Sequence, residues 1–274
     1  MINRRRVLAT GISVVALTPF ASPVLAITDL RGQLVQGALL RGRTQPDARV
    51  WIDDRQLNLT TNGDFVFGFG YDRADPATLK IQRAGEAAEE QKITLAKRDY
   101  KIQRISGLPD KFVDPPASVL ARIERENKLI GAARAHDTDE AWFAGEFDWP
   151  VKGPMTGVYG SQRILNGVPK RPHFGVDIAA GEGTPIRAPV GSIVAMAEPD
   201  LYFTGGTVIL DHGRGVSSSY LHMSRLDVKV RDRVAKGDVI GAIGKTGRAT
   251  GPHLCWRLNW FQERLDAALV VPHA

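Results

Sequence analysis

The chain has 274 residues, with 36 Lys+Arg against 30 Asp+Glu and a formal net charge of +6. This length predicts two domains, each large enough to bury a core. The hydrophobic fraction of 43% and charged fraction of 24% exclude collagen, coiled coils and wholesale disorder. The single cysteine excludes both an intrachain disulfide and a four-cysteine zinc module.

Residues 1–26 have the three-part pattern of an export signal. Three consecutive arginines, at positions 4–6, precede an apolar run from Val7 to Leu17, and small residues end at Ala26. The run is much shorter than the ~20 residues of a membrane-spanning helix. We therefore expect cleavage after Ala26 and an exported protein of the periplasm or cell envelope. The paired arginines resemble a twin-arginine signal, and the Sec and twin-arginine routes both stay open.

The remaining chain is only weakly basic, because residues 1–26 hold three arginines and no acidic residue. So small an excess of positive charge gives no indication of nucleic-acid binding. No later segment is apolar enough over sufficient length to span a bilayer, so we expect no stable membrane span in the mature protein.

Residues 27–106 have the pattern of short strands. Phe65, Phe67 and Phe69 alternate with other residues, and Asn62-Gly63 supplies the turn chemistry of a tight hairpin. The pattern predicts an N-terminal β-sandwich-like module. Because the segment holds neither histidine nor cysteine, we expect a spacer or binding module.

A linker with one helix is predicted over residues 107–146. Pro115 and Pro116 precede Ser118, which could cap a helix that runs to about His136. The following metal-capable side chains, at 136–140, are typical of a solvated helix end. From residue 147 to 274, glycines separate β-branched runs, which predicts an antiparallel β-sheet domain. The expected fold class is therefore mainly β.

Two motifs in this domain contain metal-capable side chains. His173 and Asp177 form His-x-x-x-Asp, where Gly175 disfavours a helix, so the two side chains would converge through an extended or turning backbone. His253 and Cys255 form His-x-Cys and would point to one side of a strand. Together the motifs offer His, Asp and Cys, and catalytic zinc sites use three such ligands and keep a fourth position for water.

Another histidine, His222, is predicted to lie on a strand, on the same face as Tyr220. A neutral histidine beside a metal site can take a proton from water and return it to a leaving amine. Tyr220 is a candidate for lining the substrate groove, and a packing role is an equal alternative. His212, between Asp211 and Gly213, has the setting of a turn residue.

The order and spacing of HFGVD, SYLH, VKVRDRVAKGDVIGAIGKTG and GPHLCW resemble the lysostaphin-type (LytM-like) zinc metallopeptidases of bacterial cell walls. The resemblance covers about residues 147–262. It implies a small antiparallel β-sheet core with a groove, a Zn²⁺ cofactor and endopeptidase action on the peptide cross-links of peptidoglycan. Carried over, the family's zinc ligands match His173, Asp177 and Cys255, and its two catalytic histidines match His222 and His253.

Cys255 departs from the family, which has histidine at this position. A thiolate is a good zinc ligand, at about 2.3 Å, and the alternative is a small buried apolar cysteine. The leading hypothesis is an exported zinc endopeptidase. The second is a family member without hydrolytic activity that regulates cell-wall amidases through protein contacts, and a third is a wall-binding module.

Overall fold

The computed structural model describes residues 30–272, so the predicted export signal lies outside the described residues. Within them the protein is mainly β, as predicted. The first six strands are β1 (Leu39–Arg43), β2 (Arg49–Ile52), β3 (Arg55–Leu57), β4 (Asp64–Gly68), β5 (Ala77–Gln82) and β6 (Glu89–Ile93). They form an antiparallel pair, β1 with β4, and an antiparallel sheet with the order β3-β2-β5-β6.

The strands of this N-terminal part follow the predicted alternation. In β5, buried residues alternate with half-buried ones, so that one face packs on the core. The predicted turn at Asn62-Gly63 is confirmed: Gly63 has a φ of +78°, and a Cβ there would lie 1.9 Å from the Thr44 carbonyl oxygen. Only glycine accommodates both the left-handed backbone and this close approach.

Strand β7 (Ile102–Ile105) ends the predicted N-terminal module, and the linker contains a short helix α1 (Asp110–Val113) and the long helix α2 (Ala117–Arg134). The predicted helix therefore exists, but Ser118 lies inside it. The N-cap is Pro116, which is extended and makes no side-chain capping hydrogen bond, because the proline side chain has no acceptor atom. A 3₁₀ turn, Trp142–Ala144, follows.

The C-terminal part is an antiparallel β structure, as predicted. Its strands are β8 (Met155–Gly157), β9 (Gln162–Leu165), β10 (Val168–Pro169), β11 (Val176–Ala179), β12 (Pro185–Arg187), β13 (Ser192–Leu201), β14 (Gly205–Asp211), β15 (Val216–Leu226), β16 (Arg233–Val234), β17 (Val239–Ile243), β18 (His253–Trp260) and β19 (Glu263–Leu265). A second 3₁₀ turn, Ala267–Val270, comes after them. The main sheet has the order β16-β13-β14-β15-β18-β11-β8, with β12, β17 and β19 joined to its side.

Both faces of the main sheet are covered. In β14, Val208 and Leu210 belong to the main core, whereas Ile209 packs with Ala133 of α2 on the opposite face. Helix α2 therefore lies over β13 and β14, and every residue of β14 is buried. Strand β7 pairs in parallel with β9, which joins the end of the predicted N-terminal module to the C-terminal part. The boundaries at residues 106 and 146 stay predictions.

No helix within residues 30–272 has the length and hydropathy needed to cross a membrane.

Candidate metal and catalytic site

The register of two central strands brings the predicted motifs together. Strands β11 and β18 are antiparallel neighbours, with Asp177 opposite Cys255 and Ala179 opposite His253. The Nε2 atom of His253 lies 3.8 Å from the Oδ1 atom of Asp177. Two motifs nearly eighty residues apart in sequence thus face each other across one strand pair.

The third side chain, His173, comes from the segment that leads into β11. Its backbone N–H donates to the Ser161 carbonyl at 2.8 Å, and its own carbonyl accepts from the Gly160 N–H at 2.7 Å. This anchoring holds His173 Nε2 at 3.1 Å from Asp177 Oδ1 and 3.3 Å from Cys255 Sγ. The predicted convergence through a non-helical backbone is therefore observed.

The three side chains have the geometry of a metal-ligand set. Their donor atoms lie within 4.8 Å of one another, and all three residues are buried. Ligand atoms around a tetrahedral Zn²⁺ stand about 3.3–3.7 Å apart, from bond lengths of about 2.0–2.3 Å. The Oδ1 atom of Asp177 is also buried and, apart from its 3.1 Å contact with His173 Nε2, has no hydrogen-bond partner. A buried carboxylate oxygen with so few partners suits a cation. His173, Asp177 and Cys255 therefore fit a zinc-like ion.

The second oxygen of the same carboxylate is held by Arg163, on β9. The Arg163 Nη2 atom donates to Asp177 Oδ2 at 2.6 Å. Burial tends to raise the pKa of the Asp177 carboxyl, but contact with His173 and Arg163 outweighs burial and holds that pKa well below its usual range. Arg163 is thus a positioning residue for Asp177. Sequence reasoning missed it, because nothing near Arg163 in the chain distinguishes it from other surface arginines.

Burial sets the protonation of the other two metal-site groups. It lowers the pKa of His173 to about 4, so this imidazole is neutral and can donate a lone pair near pH 7. Burial and, secondly, the Asp177 carboxylate raise the pKa of the Cys255 thiol to about 11. A metal ion bound at Cys255 would therefore displace the thiol proton.

The two predicted catalytic histidines lie side by side. The ring centroids of His222 and His253 are 4.8 Å apart. His222 Nδ1 contacts the Thr246 carbonyl at 2.8 Å, and His253 Nδ1 contacts the Gly251 carbonyl at 2.9 Å. A carbonyl only accepts, so each Nδ1 carries the hydrogen and each Nε2 is the proton-accepting nitrogen.

His222 has an unusual backbone that changes which side chains face the site. Its φ is +67°, and β15 has one extra residue there, since Gly206 pairs with Met223 but Val208 pairs with Tyr220. Such a bulge re-aims side chains. A non-glycine residue at positive φ costs about 1–3 kcal/mol and is common at functional sites.

The same bulge separates Tyr220 from the groove, contrary to the expectation that it shares a face with His222. Tyr220 is fully buried in the main core, and its hydroxyl contacts Ser218 Oγ at 2.8 Å. Ser218 Oγ in turn lies 2.7 Å from His212 Nε2. Tyr220 and His212 thus belong to a buried hydrogen-bonded chain in the core, which is the packing alternative for Tyr220.

Comparison with known families then identifies this part of the chain. The model of peptidase family M23 matches residues 171–267, the range that holds all six predicted site residues. Residues 171–267 form a peptidase family M23 domain.

Relatives of the M23 domain include a protein named as a peptidoglycan endopeptidase and one named as a cell division protein. The chain is 41% identical over 98 residues to the peptidoglycan DD-endopeptidase ShyA of Vibrio cholerae, which covers 35% of this chain and 23% of ShyA. It is 29% identical over 134 residues to the cell division protein DipM of Caulobacter vibrioides, covering 47% of this chain and 21% of DipM. The chain therefore spans less than a quarter of either relative.

One solved structure resembles the protein well beyond the M23 domain. A candidate peptidase M23 from Pseudomonas aeruginosa superposes with a TM-score of 0.68 at 28% identity, covering 87% of this chain and 95% of that chain. The N-terminal strands and the linker are therefore part of an arrangement that recurs in another protein.

Proposed function

We propose that the protein is an exported, zinc-dependent endopeptidase that hydrolyses the peptide cross-links of peptidoglycan. The observation that carries this proposal is the convergence of His173, Asp177 and Cys255 beside the His222–His253 pair, inside an M23 domain. Relatives named as peptidoglycan endopeptidases support the substrate class. The export-signal pattern of residues 1–26 supports a site of action in the periplasm or cell envelope.

In this proposal His173, Asp177 and Cys255 hold the ion. A bound Zn²⁺ supplies Lewis-acid polarisation of a peptide carbonyl and lowers the pKa of water to about 7. Asp177 contributes through Oδ1, while Arg163 holds Oδ2 and so keeps the carboxylate from rotating. Cys255 contributes a thiolate in place of the family's histidine.

The histidine pair handles protons in this proposal. Burial, together with repulsion from His253, lowers the pKa of His222 to about 3, so the imidazole is neutral at physiological pH. With Nδ1–H committed to a backbone carbonyl, Nε2 of each ring can accept a proton and later donate it. A protonated ring beside the scissile carbonyl also stabilises a developing oxyanion.

The decisive experiment combines metal analysis with a digestion assay. Purified protein lacking residues 1–26 is expected to bind one Zn²⁺ and to convert cross-linked peptides of purified peptidoglycan into uncross-linked ones. Asp177→Ala is expected to lose both the zinc and the activity while it keeps the β fold. Asp47→Ala, at an exposed N-terminal position, is the matched control. Full zinc occupancy in Asp177→Ala would contradict this ligand set.

A second candidate function rests on Cys255 itself. The cysteine occupies a ligand position where the family has histidine, and the relatives include a cell division protein. A family member without hydrolytic activity could act through protein contacts as an activator of cell-wall amidases. Sub-stoichiometric zinc and no cleavage of cross-links by the wild type, with zinc gained by Cys255→His, would favour this function.

A further inference from the structure

An arginine-rich pocket adjoins the candidate active site. The pocket has a volume of about 630 Å³, and His173 and His222 lie on its wall. Helix α2, the segment around β9 and β10, and the β18–β19 hairpin enclose it. Its lining includes six arginines: Arg134, Arg163, Arg171, Arg248, Arg257 and Arg264.

The positive charge of this pocket has little compensation within residues 30–272. Of the six arginines, Arg163 forms an ion pair, with Asp177, and no carboxylate pairs with the other five. Glu126 is the acidic residue of the lining, and it is already bound to Arg122 at 2.6 Å and to the Tyr202 N–H at 2.8 Å. A strong positive potential therefore extends from the histidines into the pocket.

Arg134 is the clearest sign that this charge serves a ligand. It lies in the last turn of α2, is only 5% exposed, and its Nε atom has no hydrogen-bond partner. Burial, and then the nearby Arg264 and Arg257, hold its pKa well below the usual range. A buried charge without a partner is costly, and the buried Nε of Arg257 is also unpartnered. An anion bound between these guanidinium groups would offset the cost.

We propose that this pocket binds a carboxylate-bearing segment of the peptide substrate, so that the enzyme selects acidic peptides. The inference rests on the proposed function, because the pocket is continuous with the histidines at which the peptide bond would be cut. Guanidinium groups match carboxylates in planar, two-point hydrogen bonds. A volume in the range of 300–1,000 Å³ typical of ligand pockets suits a short peptide.

A binding experiment tests the pocket without turnover. The full chain lacking residues 1–26 is treated with a chelator and titrated calorimetrically with the synthetic peptide L-Ala-γ-D-Glu-L-Lys-D-Ala. The same peptide with its glutamyl α-carboxylate converted to an amide is the second probe. Loss of one charge-assisted interaction is expected to weaken binding by about 10-fold or more. Equal affinity of the acid and the amide would overturn the proposal.

Two variants locate the binding. Arg134→Met and Arg264→Gln are each expected to weaken binding of the acidic peptide by about 10-fold or more. Arg125→Gln makes the same charge change at an exposed position of α2 outside the pocket and is expected to bind like the wild type. Arg134→Met should also raise Tm by a few degrees, because it removes an uncompensated buried charge. If Arg134→Met does not fold, Arg264→Gln decides; normal binding by Arg264→Gln would overturn the proposal.

Two further arms separate the alternatives. Inorganic phosphate is titrated alone, and phosphate binding as tight as that of the acidic peptide would overturn the assignment to a peptide carboxylate. Hydrolysis of peptidoglycan by the zinc-loaded protein is measured in parallel. Hydrolysis without selective binding of the acidic peptide would contradict the proposed role of the pocket and leave the proposed function intact. Selective binding without hydrolysis supports the pocket and contradicts the endopeptidase.

Discussion

The contact between Gly157 and Asp177 gives a sharp prediction for the variant Gly157→Ala. Gly157 on β8 pairs with Asp177 on β11, and a Cβ at Gly157 would lie 2.4 Å from Asp177 Oδ2 and 2.9 Å from its Cγ. Ordinary van der Waals contact begins near 3.4 Å, so the carboxylate must retreat by roughly 1 Å. Metal–ligand distances fall within about 0.2 Å of their standard values, so a shift of this size in the ligand carboxylate is large.

This displacement should weaken both the metal site and the fold. The Oδ2 atom that must move is the one bound by Arg163, and loss of such an outer contact typically costs 10–100-fold in metal affinity. Overpacking typically costs about 1–3 kcal/mol of unfolding free energy, partly offset by the lower chain entropy of alanine, about 0.4–1 kcal/mol. We expect a fall in Zn²⁺ affinity of about 10–100-fold and a Tm lower by a few degrees.

Competition with a chromophoric chelator measures the Zn²⁺ affinity, and calorimetry measures Tm. Gly251→Ala is the matched control, since a Cβ there meets nothing within 4 Å although Gly251 is only two residues from His253. The control is expected to match the wild type in both measurements. Unchanged zinc affinity in Gly157→Ala would refute the inference that the β8–β11 contact sets the position of the Asp177 carboxylate.

Three other predictions test the remaining assignments. His222→Ala should keep zinc but lose hydrolysis by about 10²-fold or more, and loss of metal in this variant would show that catalyst and ligand are exchanged. Cys255→Ser should bind zinc much more weakly than the wild type. Cys255→His should bind zinc and hydrolyse faster, because a neutral imidazole donates less charge to the zinc than a thiolate and leaves it a stronger Lewis acid. A fully active, zinc-loaded Cys255→Ser would show that the thiol only packs. Burial lowers the pKa of His212 from 6.5 to about 4, so between these pH values the unfolded state binds a proton that the folded state does not. The contribution of the neutral His212 to the free energy of unfolding is therefore complete above pH 6.5 and falls by up to about 3 kcal/mol as the pH drops to 4. Urea unfolding across this range should be less pH-dependent for His212→Gln than for the wild type, and parallel profiles would contradict the assignment.

The strand pattern and the metal-ligand motifs could be predicted from the sequence because they depend on short-range rules. Alternation of apolar residues and the turn at Asn62-Gly63 specify local strands and a hairpin, independent of distant contacts. His253 and Cys255 point to one side because side chains alternate along any regular strand. These local rules were enough to predict a mainly β chain, its linker helix and three candidate ligands.

The local rules failed in β15, where one extra residue interrupts the alternation of side chains. The extra residue in β15 and the positive φ of His222 break the alternation, so Tyr220 enters the core while His222 faces the site. The sequence of β15 contains no glycine or proline to mark the bulge. The bulge is maintained by tertiary contacts, including the hydrogen bond that the His222 N–H donates to the Thr204 carbonyl at 2.8 Å.

The charge arrangement around the site was decided by tertiary structure alone. Arg163 reaches Asp177 because β9 passes beside β11's entry segment, and Arg134 meets Arg257 and Arg264 because α2 packs over the sheet. Along the chain Arg134, Arg163 and the Arg257–Arg264 stretch lie in separate segments, so no window of sequence reveals a cluster. Electrostatic energy depends on distance in space, and only the packing of helix, strands and hairpin determines which charges become neighbours.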